Sequence, residues 1–215
     1  IGWDLANDNF GIVQPGRVLR SAQMSSARLT RTIQEHGVKT VLNLRGSNPD
    51  AAWYRAERDA TTTAGATQVD VSLSSCIWMS RIQLQTLVKT LDEMPPPFLI
   101  HCAWGSERTG LVSAIAELLR EGSTLDDARA QFALRYLYVP VGDGRIMSDA
   151  IDQYAGWLES QGLQHRPEVF RRWAESGYRP GDPSREDWPY DPYPLIVVTP
   201  PDAGPTARAE GPERR

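Results

Sequence analysis

The sequence predicts an α/β fold in which a central, mainly parallel sheet is flanked by helices. Short runs of alternating apolar and polar residues, typical of strands, are separated by longer stretches with the helical apolar period. This alternation fills the first three quarters of the 215-residue chain. It favours parallel pairing because parallel neighbours need a crossover segment, usually a helix. The length suits one core domain with an extension.

Strands and helices alternate from the start of this region. Before residue 74 we predict a strand over 18–20, a helix capped by Ser25 or Ser26 and ended by Gly37, a strand over 38–44, a helix over 51–64 and a strand over 67–73. The next helix carries an apolar face and ends at the prolines 95–97, which cannot continue it. That face comprises Ile82, Leu84, Leu87, Val88 and Leu91.

The apolar run 98–100 predicts a buried strand that ends at His101 and Cys102. A largely apolar helix over 111–120 follows, and Ser123 with Asp126 resembles a capping box. Further helices are predicted over 124–137, 146–160 and 167–175.

The C-terminal segment differs in composition from the rest. Residues 180–215 hold nine of the sixteen prolines. We therefore expect a domain over 1–178 and an extended or disordered proline-rich tail over 179–215.

Charge and composition narrow the function classes. Lys and Arg total 23 against 27 Asp and Glu, a net charge of -4, which disfavours nucleic-acid binding. Three isolated histidines, including His36 and His165, predict no metal site, and we expect no cofactor. No stretch reaches the roughly 18 apolar residues of a membrane span. A cytoplasmic location is favoured. Because the sequence begins at Ile1 rather than Met, localisation stays open, and removal of an N-terminal segment would allow a periplasmic or membrane-anchored location.

Residues 101–110, HCAWGSERTG, place a cysteine and an arginine at the two ends of a short loop. Five residues separate Cys102 from Arg108, between a strand end and a helix start near Thr109. A free thiol, with a pKa of about 8.5, is mostly protonated at neutral pH. The guanidinium and the positive helix end both stabilise the thiolate, which predicts a nucleophile at Cys102.

The same loop predicts a phosphate cradle. Its successive N–H groups form an anion-binding nest, and Gly105 and Gly110 let the backbone approach. Arg108 can hold two phosphate oxygens, and the Thr109 hydroxyl can hydrogen-bond the sulfur. The predicted substrate-binding residues are Ala103, Trp104, Gly105, Ser106, Glu107 and Thr109. An ordinary buried thiol is the alternative, which the agreement of the flanking elements disfavours.

The loop resembles the His-Cys-x5-Arg-Thr-Gly signature of the protein tyrosine phosphatase superfamily. Residues 15–46 are similar to the opening of bacterial dual-specificity-like phosphatases, and with WYRAE at 53–57 the resemblance covers 11 to about 160. It implies a phosphatase-like α/β fold, a phosphocysteine intermediate at Cys102, phosphate binding by Arg108 and no metal. The implied partners are a phosphorylated protein or a small phosphomonoester.

Members of this superfamily usually supply an aspartic acid from a mobile loop as proton donor. The corresponding segment here, SSCIWMSR, carries no carboxylate. Asp70, 32 residues before Cys102, is the leading candidate, although a structural role on its strand fits equally well. Glu107, Asp143 and Asp149 are weaker alternatives.

Several other side chains have two interpretations. Trp104 either faces an aromatic substrate or packs beneath the loop. Cys76 either forms a reversible disulfide with Cys102 or is a buried small apolar residue. Arg45 reaches the site or supports a loop, and Glu57 is a possible ion-pair partner.

Three functions remain: an active tyrosine or dual-specificity phosphatase, a phospho-residue binding module with weak turnover, and rhodanese-like sulfur transfer, which fits the Arg-Thr-Gly sequel poorly. An inositol phosphate substrate is disfavoured because the loop contains no lysine.

Overall fold

The computed structural model describes residues 7–181 and 196–198. Its strands are β1 (Gly11–Gln14), β2 (Val18–Ser21), β3 (Thr40–Asn43), β4 (Thr67–Asp70), β5 (Phe98–His101) and β6 (Ile196–Val198). They form one sheet in the order β1-β2-β5-β3-β4-β6. The four central strands are parallel, whereas β1 and β6 pair antiparallel at the two edges. The predicted α/β fold with a mainly parallel sheet is confirmed.

Seven α-helices cover the two faces of the sheet in the described part of the chain. They are α1 (Ser26–His36), α2 (Ala52–Thr63), α3 (Arg81–Glu93), α4 (Glu107–Leu118), α5 (Leu125–Arg129), α6 (Ile146–Gln161) and α7 (Pro167–Arg172). A π-turn over Trp173–Gly177 continues α7.

Alternation along the strands divides the core between the two faces. Leu42, Val69 and Ile100 point into the larger cluster, which α3, α4, α6 and α7 complete. Val41 and Leu99 point to the other face, where α1 and α2 cover a smaller cluster. With both faces covered, the central strands are continuously buried, as parallel strands usually are.

Local sequence signals fix several helix ends as predicted. The Ser25 side chain accepts a hydrogen bond from the Arg28 amide at 3.3 Å, and Gly37 ends α1 with φ of 62°. A non-glycine residue tolerates that left-handed conformation poorly.

Other predictions were wrong in detail. The capping box joins Thr124 to Asp127, one residue later than expected. Ile82 is 59% exposed and lies outside the buried face of α3. The helix predicted over 124–137 stops after α5 and gives way to two 3-10 turns. The Gln131 carbonyl in that segment accepts a hydrogen bond from Arg20 instead of from a helical amide.

The sequence did not predict β1 or β6. Each is three or four residues long and obtains its hydrogen bonds from a neighbouring strand. The strand β6 belongs to the expected tail, of which 182–195 and 199–215 lie outside the described residues. The division into a domain and a tail therefore stays a prediction. Over the described ranges, no helix is both long and apolar enough to cross a membrane.

Candidate active site

The carboxyl ends of the parallel strands meet at one edge of the sheet. The register aligns Ser21, Asn43 and Asp70 with or beside His101, the last residue of β5. Cys102 follows directly, and α4 begins five residues later at Glu107. Clefts at this edge are the usual ligand sites of open α/β sheets.

Cys102 is a buried thiol whose surroundings favour the thiolate. Burial by itself would raise its pKa. The Thr109 hydroxyl, the Arg108 guanidinium and the amides of Thr109 and Trp104 outweigh burial and hold the pKa below its usual value. The side chain therefore has the electrostatic property that a nucleophilic cysteine requires.

The loop after Cys102 requires glycine at one position. Gly105 has a φ of +69°, and a Cβ there would lie 2.6 Å from the backbone of Ser21 and Ala22. The loop thus packs directly on the end of β2. This close approach fixes the curvature of the backbone around the sulfur.

Apart from the groups that face the Cys102 sulfur, several polar groups of the loop have no hydrogen-bond partner among the described residues. In residues 7–181, the N–H groups of 103–106 donate to no backbone carbonyl. The buried Ser106 Oγ and Arg108 Nε atoms also have no hydrogen-bond partner. Buried polar groups are usually paired, so a cluster of unpaired donors at a helix start is typical of an anion site.

Arg108 is held at the mouth of the loop by neighbouring strand ends. Its Nη1 atom donates to the carbonyls of Leu73 at 3.2 Å and Leu44 at 3.4 Å. These contacts orient the guanidinium and engage no carboxylate, which leaves its charge available to a bound anion.

Arg20 supports the loop from behind, a role that the sequence did not predict. It is fully buried on β2 and donates to the Gly105 carbonyl at 2.8 Å and the Gln131 carbonyl at 2.7 Å. Its guanidinium lies 3.7 Å from the centroid of the Tyr136 ring. Burial lowers its pKa to about 10, so it remains charged at neutral pH. The sequence signal for this role was the presence of a charged residue, Arg20, within a strand that is otherwise buried.

His101 and Glu57 form a buried ion pair behind Cys102. The His101 Nε2 and Glu57 Oε2 atoms are 3.3 Å apart, without hydrogen-bond alignment. Burial alone would lower the pKa of His101, but the Glu57 carboxylate outweighs it and raises the pKa. Gln23 also donates a short hydrogen bond to Glu57. Glu57 is thus the ion-pair partner that its place in WYRAE indicated.

A family comparison agrees with this geometry. The model of the tyrosine phosphatase family matches residues 4–140. The chain belongs to the tyrosine phosphatase family. This assignment supports phosphoester hydrolysis and removes the reason to retain a sulfur-transfer function.

Solved structures share the fold of this phosphatase at low sequence identity. TpbA from P. aeruginosa is 19% identical with a TM-score of 0.53, over 73% of this chain and 92% of that chain. A second TpbA structure, in complex with pTyr, is 19% identical with a TM-score of 0.51, and the match covers 80% of this chain and 93% of that chain. The catalytic core of the S. cerevisiae PP-IP phosphatase SIW14, in complex with citrate, is 19% identical with a TM-score of 0.52. This match covers 72% of this chain and 92% of that chain. A search of curated proteins found no match.

Among the described residues, the carboxylate of the predicted acid Asp70 forms no hydrogen bond with the phosphatase loop. The Asp70 carboxylate is 1% exposed and accepts hydrogen bonds from Asn43 at 2.8 Å, Gln68 at 3.0 Å and Tyr54 at 2.5 Å. Burial, and then the bond to Asp70, raises the pKa of Tyr54 to about 12, so Tyr54 stays a donor. The structure therefore places Asp70 in a closed polar cluster under α2.

The weaker acid candidates lie in different places. Glu107 is in the first turn of α4, directly before Arg108, and its side chain lies beside Gly144. Asp149 is paired with Arg145 on the surface at 3.2 Å. The Asp143 side chain lies outside what the structure describes.

Two alternatives from the sequence are decided by exposure. Trp104 is 66% exposed, so the interpretation that it packs beneath the loop was wrong. Cys76 is exposed, so it is not a buried apolar residue either. A disulfide between Cys76 and Cys102 stays a prediction. Among the described residues, no group of three or more His, Cys, Asp or Glu side chains is arranged to hold a metal.

Proposed function

We propose that this protein hydrolyses phosphomonoesters through a phosphocysteine intermediate at Cys102, acting on phosphotyrosine or other aryl phosphates. One observation carries the proposal: a buried thiol of lowered pKa lies in a loop that ends at Arg108 and whose N–H groups at 103–106 donate to no backbone carbonyl among the described residues. A nucleophile, a phosphate cradle and a fixed cation are thereby combined in eight residues.

In the first step the Cys102 thiolate attacks phosphorus. A P–S bond forms while the bond to the leaving oxygen breaks, and that oxygen takes a proton. Arg108 and the loop amides hold the three other phosphoryl oxygens, where charge is distributed in the transition state. In the second step water attacks phosphorus, the P–S bond breaks and inorganic phosphate leaves. The Thr109 hydroxyl stabilises the departing thiolate.

We propose Glu107 rather than Asp70 as the carboxyl group that transfers the proton. Glu107 precedes Arg108 at the start of α4 and has no ion-pair partner among the described residues. Asp70 uses both oxygens in hydrogen bonds and is buried. A general acid must reach the leaving oxygen, which favours Glu107. It protonates the leaving group first and then accepts a proton from the attacking water.

The proton donor is tested by comparing two matched variants. Glu107→Gln should lower kcat on phenyl phosphate at least tenfold and remove one limb of the pH profile, since general acid catalysis contributes about 10²–10⁴-fold. Asp70→Asn retains the hydrogen-bonding shape and should keep the profile. A changed profile in Asp70→Asn alone would restore Asp70 as the acid.

The exposed indole of Trp104 supports an aryl substrate. Trp104 belongs to the loop itself and is largely exposed, so its ring is available to pack against an aromatic ring attached to the bound phosphate. Trp104→Ala should lower kcat/KM for a phosphotyrosine peptide several-fold and leave that for phosphoserine unchanged. A wild-type preference for inositol phosphates over both peptides would overturn the substrate assignment.

The second candidate function is a phospho-residue binding module with weak turnover. It is favoured because residues 74–81 contain no carboxylate and Asp70 is enclosed. Turnover of para-nitrophenyl phosphate that disappears in Cys102→Ser supports the enzyme. Phosphopeptide binding by the wild type without turnover of any aryl phosphate would support a phospho-residue binding module instead.

A further inference from the structure

Arg45 is a cation beside the site that forms no ion pair within residues 7–181. Its guanidinium stacks on the Trp53 ring, 3.5 Å from the centroid, and donates to Gln23 Oε1 at 2.9 Å. Both partners are uncharged. Within residues 7–181, no carboxylate oxygen lies within the 4.0 Å ion-pair distance of Arg45. The side chain is half-buried and therefore still reaches solvent.

Two sets of contacts place Arg45 beside the phosphate loop. The preceding residue, Leu44, donates its N–H to the His101 carbonyl at 2.9 Å and accepts from Arg108 Nη1 at 3.4 Å. On the other side, Gln23 donates its backbone N–H to the Ala103 carbonyl at 3.3 Å. The guanidinium of Arg45 is thus held by Gln23, which contacts the beginning of the loop, and the backbone of Arg45 follows Leu44, which Arg108 contacts at the end of the loop.

The charges around Arg45 agree with this position. Burial lowers the pKa of Arg45, the Glu57 carboxylate raises it, and the nearby Arg108 and Cys102 act in opposite directions. Glu57 is the carboxylate that acts electrostatically on Arg45, but it is paired with His101 and accepts a hydrogen bond from Gln23. Among the described residues, Arg45 therefore has no carboxylate of its own as an ion-pair partner, although Trp53 and Gln23 hold it in a fixed orientation.

We propose that Arg45 forms a second anion subsite beside the Cys102–Arg108 cradle, so that preferred substrates carry a further phosphate or carboxylate next to the scissile phosphomonoester. This proposal rests on the proposed function, because the cradle must hold the first phosphate. A planar guanidinium fixed on an indole ring suits bidentate recognition of such a group. The sequence had left open whether Arg45 reaches the site or supports a loop, and the proposal takes the first interpretation.

The test measures binding rather than turnover, so it remains informative even if the protein is a poor catalyst. Three probes that resist hydrolysis are titrated calorimetrically into Cys102→Ser: methylphosphonate, phosphonoacetate and methylenediphosphonate. The first has no second anion, the second adds a carboxylate and the third adds a phosphonate. At least one of the two larger probes should bind about tenfold or more tightly than methylphosphonate, equivalent to about 1.4 kcal/mol.

Adding Arg45→Gln should remove this preference while changing the Kd of methylphosphonate less than about threefold. Arg17→Gln is the matched control, because it removes the same charge just before β2, at the opposite edge of the sheet. It should leave all three Kd values unchanged. A preference that survives Arg45→Gln would overturn the proposal. If Arg45→Gln does not fold, equal affinities for the three probes in Cys102→Ser alone would overturn it.

Discussion

The buried ion pair between His101 and Glu57 should raise the reactivity of Cys102, because a positively charged His101 stabilises the neighbouring thiolate. Glu57 therefore influences the nucleophile without contacting substrate. Glu57→Gln removes the carboxylate charge with little change in shape, and Gln23 can still donate to the new amide oxygen. Glu57 raises the pKa of His101 against the effect of burial, so this pKa should fall in the variant and the imidazole should carry less positive charge near neutral pH. The thiolate then loses a neighbouring positive charge.

The magnitude follows from Coulomb's law. Two unit charges on neighbouring side chains, taken as about 8 Å apart, interact with about 1–2 kcal/mol at an effective dielectric constant of about 20–40. One pKa unit corresponds to about 1.4 kcal/mol, so the pKa of Cys102 should rise by about one unit. The same pair contributes to stability: breaking a buried pair typically costs about 3–5 kcal/mol.

The assay is the pH dependence of the rate at which iodoacetamide alkylates Cys102. Its midpoint should move up by about one pH unit in Glu57→Gln and stay in place in Glu159→Gln, which removes the same charge from the exposed side of α6. Cys76→Ser serves as the background so that only one thiol reacts. An unchanged midpoint would refute the idea that a charged His101 supports the thiolate.

The ion pair between His101 and Glu57 should stabilise the folded protein only within a limited pH range. The pKa of Glu57 is lowered in the folded state, because His101 and its other partners outweigh burial, so its contribution is lost as pH falls through that value. The pKa of His101 is raised, so its contribution is complete below about 6.5 and lost as pH rises through the folded value. The excess stability of wild type over Glu57→Gln should therefore be largest at about pH 5–6.5 and decline above it.

Two further predictions concern the packing of the loop. Gly105→Ala should lower stability by about 2 kcal/mol or more and phosphate affinity at least tenfold, because the new Cβ meets backbone at 2.6 Å. Gly16→Ala has the same positive φ but open space, so it should show the backbone strain alone; equal losses in thermal unfolding would contradict the packing argument. Arg20→Lys should cost about 2 kcal/mol and lower kcat/KM about tenfold, because an ammonium does not reproduce the fork that holds the carbonyls of Gly105 and Gln131. Unchanged kcat/KM in a folded Arg20→Lys would show that the loop keeps its shape unaided.

The sequence predicted the elements whose signals are local. Strands such as β5 and helices such as α1 follow from apolar periodicity, the Ser25 cap and the Gly37 end. The nucleophile loop was predicted for a similar reason, since its cysteine, glycines and arginine lie within ten consecutive residues. By contrast, β1 and β6 are too short to carry a pattern and depend on distant partners.

Roles that depend on contacts distant in sequence were harder to predict. The Arg20 guanidinium reaches Gly105 and Gln131, which are 85 and 111 residues away. Nothing in the strand pattern of Asp70 indicated that Asn43 and Tyr54 would enclose its carboxylate. Spacing to Cys102 placed Asp70 at the correct edge of the sheet, but only the fold determines which face its side chain occupies.

The central claim, a covalent intermediate at Cys102, is tested most directly by trapping it. The wild-type protein is mixed with para-nitrophenyl phosphate, quenched rapidly and digested for mass spectrometry. We predict one phosphorylated peptide, with the phosphoryl group on Cys102, and none in Cys102→Ser. Phosphate on any other residue, or full turnover by Cys102→Ser, would contradict the claim.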